Sequence, residues 1–124
     1  MNKKEINEKR KIEEAKRAVY ILEHKIHEIR YVKDWALIFG CSKTKLNNLI
    51  TIQFCVSPKV MMKQVRFERI KDTIKKDPSL CSFAVADQCG LLNEKTLYQF
   101  LSRNFETSFS NLRFKLLWDW DDSV

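Results

Sequence analysis

Asn48 and Gln99 stand 51 residues apart. Either side-chain amide can grip adenine N6 and N7 with two hydrogen bonds, and Lys43 and Lys95, a few residues upstream, can donate to guanine or to a phosphate. Catalysis finds no comparable residues, because no cluster of His, Asp, Glu or Cys has catalytic spacing. Cys41, Cys55, Cys81 and Cys89 lie 14, 26 and 8 residues apart, with no C-x-x-C pair and no histidine beside them. His24 and His27 fall about one helical turn apart without a third ligand, so they read as solvated residues and zinc is not expected. No enzyme, metal or cofactor is expected. Cys41 and Cys89 read as small core residues of a reducing compartment, and only Lys43 is placed to favour the redox-switch alternative.

The elements that must position the amides and lysines come from a repeat. Gly40 and Gly90 are the only glycines, and each follows an alanine, Ala36 or Ala86, by four residues. In a helix-turn-helix the two helices cross closely and need a small side chain at the contact, while the tight turn favours glycine for its positive φ. Past the turn the copies correspond at an offset of 51: Ser42 with Asn93, Leu46 with Leu97, Leu49 with Phe100, Ile50 with Leu101, Phe54 with Phe105. Ser42 and Asn93 are suited to cap the second helix of each pair, and the apolar residues after them recur at helical spacing.

The remaining elements are helical as well. Ile12, Ala15, Val19, Leu22, Ile26 and Ile29 make one apolar stripe over residues 3–29, predicted to be a single helix that packs on the first helix-turn-helix or, alternatively, mediates dimerisation. Ser57-Pro58 starts a linker helix and Asp77-Pro78 stops it. Val60, Phe67, Ile70 and Ile74 are predicted to point inward, leaving Lys63, Arg66, Lys71, Lys75 and Lys76 for solvent or phosphate. A last helix after Ser108 should present Leu112, Leu116 and Leu117 to the second unit, with Trp118 and Trp120 packing near its end. The expected fold is all-α, with about seven helices and two helix-turn-helix units. Within one domain over 1–124, the expected segments are 1–30, 31–57, 58–77, 78–106 and 107–124.

Charge separates these segments. Lys and Arg total 23 against 16 Asp and Glu, a net +7 with pI near 9.3. Residues 31–79 carry +6 of it, whereas residues 80–113 are neutral. An anionic partner follows, and since phosphate contacts supply most sequence-independent affinity, the first helix-turn-helix and the linker helix should anchor it. The start lacks an apolar leader and no run is long enough to span a bilayer, so a cytoplasmic protein is expected. The mixture of acids and bases in residues 1–30 argues against a lipid surface.

From about residue 15 to residue 117 the chain resembles the AraC/XylS family DNA-binding domain, in its stand-alone form. The resemblance is carried by Trp35-Ala36 to Gly40-Cys41-Ser42-Lys43, by Ser57-Pro58 to Arg66-Phe67, and by Val85-Ala86-Asp87-Gln88-Cys89-Gly90-Leu91 to Phe105 and Arg113. It implies two recognition helices, 42–53 and 93–104, entering successive major-groove segments. It also implies base contacts from Lys43, Thr44, Asn47 and Asn48 and from Glu94, Lys95, Tyr98 and Gln99, with Lys45, Thr96 and Arg103 completing the DNA-contacting set. Glu94 has a plainer role as a helix-start charge favoured by the macrodipole. The chain departs from the family at Cys55, where glycine is usual, at Phe109, where proline is usual, and at Ile70, where alanine is usual.

The expected function is therefore a transcription regulator that binds double-stranded promoter DNA as a monomer, with RNA polymerase a further candidate partner. The alternative is a helical interaction module that binds polymerase or another regulator and touches DNA only secondarily.

Overall fold

The computed structural model describes residues 2–118. Among the described residues there are seven α-helices, one short 3₁₀ turn and no strand, so the fold is all-α as expected. The helices are α1 (Lys3–Lys25), α2 (Val32–Phe39), α3 (Lys43–Phe54), α4 (Pro58–Lys76), α5 (Ser82–Gln88), α6 (Glu94–Phe105) and α7 (Phe109–Trp118). The chain divides into two compact units, Met1–Val65 and Arg66–Val124, so α4 supplies its first part to one and its second part to the other.

The core of the first unit is Ala15, Ala18, Leu22, Ile26, Ile29, Trp35, Ala36, Leu46, Leu49, Ile50 and Met62. Burying each of the larger aliphatic side chains stabilises by about 1.5–3 kcal/mol before the entropy of ordering is charged against it. The α1 stripe thus packs on the first helix-turn-helix in its second half, while Ile12 remains exposed. The predicted helix to residue 29 stops early: α1 ends at Lys25 and Ile26–Glu28 form a 3₁₀ turn. With three residues per turn, that geometry stacks Ile26 and Ile29 on one face, and both are fully buried. Trp35 ties α2 to α1, its indole N–H donating to the Ala18 carbonyl at 2.9 Å in a buried site.

In the second unit Ile70, Ile74, Val85, Ala86, Cys89, Leu91, Leu97, Leu101, Phe109 and Leu112 form the core. Phe67 stacks on Phe105 with centroids 3.8 Å apart and planes 10° from parallel. Buried Arg66 donates from Nη1 to the carbonyls of Cys89, at 2.8 Å, and Gly90, at 3.4 Å. Arg113 reaches back to the Leu80 carbonyl.

Three side chains depart from the expected facing. Arg66, read as available to phosphate, is buried because Met62, Arg66 and Ile70 follow at four-residue steps along one face of α4. Val60, predicted inward, is exposed: it precedes Met62 by two residues, about 200° around the helix. Leu117 is exposed for a similar reason, since Leu112 and Leu116 already occupy the inward row. Trp118 is exposed rather than packed, and Trp120 lies outside the described residues.

The repeat runs further than the turn and the second helix. Gly40 and Gly90 both have positive φ, 94° and 77°, and in each copy the next residue's N–H bonds the alanine carbonyl: Cys41 to Ala36 at 3.0 Å, Leu91 to Ala86 at 2.9 Å. Cys55 and Glu106, again 51 apart, close α3 and α6 in the left-handed region at φ 59° and 51°. Ser57 and Ser108 then cap the next helix, accepting from the N–H groups of Val60 and Asn111 at 3.2 and 3.1 Å.

Left-handed backbone costs a non-glycine residue about 1–2 kcal/mol. Glycine, which has no such cost, would suit the position that Cys55 occupies. Replacing Cys55 with glycine removes this strain but loosens the unfolded chain by about 0.4–1 kcal/mol. We expect C55G to stabilise the protein by up to about 1 kcal/mol in urea denaturation; a midpoint lowered by the equivalent of about 0.4–1 kcal/mol would show that Cys55 is not strained.

Candidate nucleic-acid interface

Helices α3 and α6 are each set on their unit by the same local devices. Ser42 Oγ accepts from Lys45 N–H at 3.1 Å and Asn93 Oδ1 from Thr96 N–H at 2.9 Å, caps worth about 1 kcal/mol each. Behind the caps, Leu46, Leu49 and Ile50 in α3, and Leu97 and Leu101 in α6, are buried. Burying those rows turns the opposite face outward.

On α3 that outward face holds Lys43, Thr44, Asn47 and Asn48, all exposed. Their i, i+1, i+4, i+5 spacing places them side by side within about 140° of helix. A twelve-residue helix is about 18 Å long, a size that a major groove accepts. Lys45 is exposed but engaged elsewhere: its Nζ pairs with Glu14 Oε1 of α1 at 3.0 Å. This ion pair links α3 to α1 and sets Lys45 apart from the other four.

On α6 the matching face is less free. Glu94, Lys95 and Tyr98 are exposed, but Gln99 is half-buried, unlike its counterpart Asn48. Thr96 donates its hydroxyl to Asn93 Oδ1 at 2.9 Å and so belongs to the cap. The Tyr98 phenol lies 3.1 Å from Ser82 Oγ. Arg103 is exposed in the last turn.

Beside the start of α3 lies a concavity of about 410 Å³, bordered by Lys43, Thr44 and Asn47 and by Ser57, Pro58 and Lys59 at the start of α4. A neighbouring one of about 390 Å³ shares Lys43 and Lys59 and adds Arg30 and Lys33. Spacing alone does not single out Arg30, Lys33 or Lys59 as site residues; the charge excess over residues 31–79 is a signal for Lys33 and Lys59, and Arg30 lies just before that segment.

The four cysteines are free thiols. Burial pushes the Cys89 thiol up, outweighing the opposite pull of the Thr73 hydroxyl and of Arg69 and Arg66. Burial also raises Cys41, with Lys45 pulling the other way. Raised thiols are poor nucleophiles. Among the described residues there is no group of three or more His, Cys, Asp or Glu that could hold a metal, and no helix long and apolar enough to cross a membrane.

No protein-family model matches the chain, and comparison with curated proteins finds no match. A solved structure does match, a transcriptional regulator from Chromobacterium violaceum described as AraC-type DNA-binding domain-containing. The two share a fold. Their TM-score is 0.68 at 18% identity, over 91% of this chain and 97% of the other. The likeness spans nearly the whole of both chains, so the all-α fold of this chain is shared with that AraC-type structure.

Proposed function

We propose that this chain is a sequence-specific regulator of transcription that binds double-stranded DNA, with α3 and α6 as its two recognition helices. The outward face of α3 carries the proposal: Lys43, Thr44, Asn47 and Asn48 stand together over a buried apolar row, in the unit that holds most of the positive charge. Asn48 reads adenine, and Lys43 reads guanine or anchors to phosphate. On α6, Lys95, Tyr98 and Gln99 supply a second, weaker reading face, and Glu94 accepts from cytosine N4 or serves the helix start. The AraC-type neighbour supports the same reading.

A second reading, docking on polymerase or another regulator, is favoured by the large apolar side chains exposed in the neutral unit, Phe83 and Leu92. Selection from a random duplex library at two salt concentrations separates the two. Two enriched boxes about one helical turn, ~34 Å, apart are the expected result, and salt-sensitive binding without an enriched motif favours docking.

A further inference from the structure

We propose that Arg30, Lys33 and Lys59, with Lys43 at the boundary, form a clamp for DNA backbone phosphates beside the base-reading face of α3. This inference rests on the duplex-DNA reading. The four cations reach one groove of about 390 Å³ from four places: Arg30 from the segment before α2, Lys33 from the start of α2, Lys43 from the start of α3 and Lys59 from the start of α4. Tyr31 and Met62 line the same groove, and the Lys33 ammonium lies 5.4 Å from the centre of the Tyr31 ring, which helps hold it there.

This positive charge is not balanced locally. Among the described residues the ion pairs are Lys25 with Glu28, Lys45 with Glu14 and Lys71 with Glu68, and none involves the four cations of the groove. The neighbouring carboxylate is Asp34, whose Oδ2 accepts from the backbone N–H groups of Arg30 and Tyr31 at 3.2 and 2.9 Å. Lys33, Lys43 and Lys59 each occupy one of the first two positions of a helix, where the macrodipole disfavours a cation. An anion bound in the groove relieves all of these repulsions at once.

The second copy of the repeat lacks the feature. Leu80, Phe83, Glu94 and Ser110 stand at the positions equivalent to Arg30, Lys33, Lys43 and Lys59, and not one is a cation. The clamp therefore belongs to the first unit alone. Backbone phosphate is the ligand that suits it, because phosphate contacts flank base-reading residues and set a protein's register without carrying sequence information.

The test compares wild type with an Arg30→Gln, Lys59→Gln double variant on both a selected duplex and a random one, over a series of salt concentrations. Both side chains are exposed, and thermal melting checks the fold. Removing two phosphate contacts should shrink the slope of log affinity against log salt by about 1.8 and weaken both duplexes by about 10–100-fold at 0.1 M salt. Swapping the cations instead, Arg30→Lys with Lys59→Arg, should preserve the slope. An unchanged slope in the neutral variant overturns the clamp while leaving base reading by α3 intact. If wild type enriches no motif, base reading fails, and the random-duplex slopes still decide the clamp.

Discussion

The double substitution Lys43→Ala with Asn48→Ala should abolish the protein's preference for its best site. Both side chains are exposed on α3 and neither contributes to the core, so the fold should persist. A bidentate amide–adenine pair discriminates by about 1–3 kcal/mol, and a lysine–guanine pair by a similar amount. Losing both should cost about 2–5 kcal/mol of specific binding, on the order of 30- to 5,000-fold. Random duplex should lose far less, since only the lysine contributes charge there. Competition titrations with selected and scrambled duplexes measure the ratio directly, and a ratio equal to that of wild type would remove α3 from the reading. Deleting residues 1–11 supplies the contrast: residues 2–11 are exposed and lie outside the core of the first unit, so the preference should barely change.

The second large effect concerns Arg66. We expect Arg66→Met to destabilise the second unit by about 3 kcal/mol, because the methionine keeps an apolar stem but leaves the Cys89 carbonyl, and the weaker Gly90 contact, without their buried charged donor. Burial lowers the Arg66 pKa to about 10, so the guanidinium remains protonated at neutral pH and donates as a cation. The carbonyls it holds belong to the turn between α5 and α6. Amide exchange should therefore quicken by about 100-fold in α5 and α6, and much less in α2 and α3. Equal protection throughout would show that Arg66 does not hold the turn.

Arg66 also marks the limit of what can be read along the chain. The turn glycines, the Ser42 and Asn93 caps and the bounds of α4 rest on neighbours within about four residues, and each was legible from residue type and spacing. Arg66 bonds carbonyls 23 and 24 residues away, at Cys89 and Gly90, and a charged side chain within a basic helix suggests solvent until its place in the Met62–Arg66–Ile70 row is followed. Lys45 is similar, since its partner Glu14 stands on another helix. The groove of Arg30, Lys33, Lys43 and Lys59 needs three elements brought together, and no spacing rule on one helix announces it. Gln99 shows the converse: the repeat equated it with Asn48, yet packing leaves it half-buried. Side chains in the buried rows of α3 and α6 were readable from spacing, Val60 and Leu117 were assigned to the wrong side of their own helices, and side chains whose environment comes from another element were not readable.

The most direct measurement of the central claim is the affinity of the wild-type chain for its selected duplex relative to random duplex, taken at about 0.15 M salt. Sequence-specific reading predicts a ratio of about 10³ or more, with the selected site carrying its strongest box under α3. A ratio near one, with binding that simply fades as salt rises, would contradict it and leave only phosphate contact.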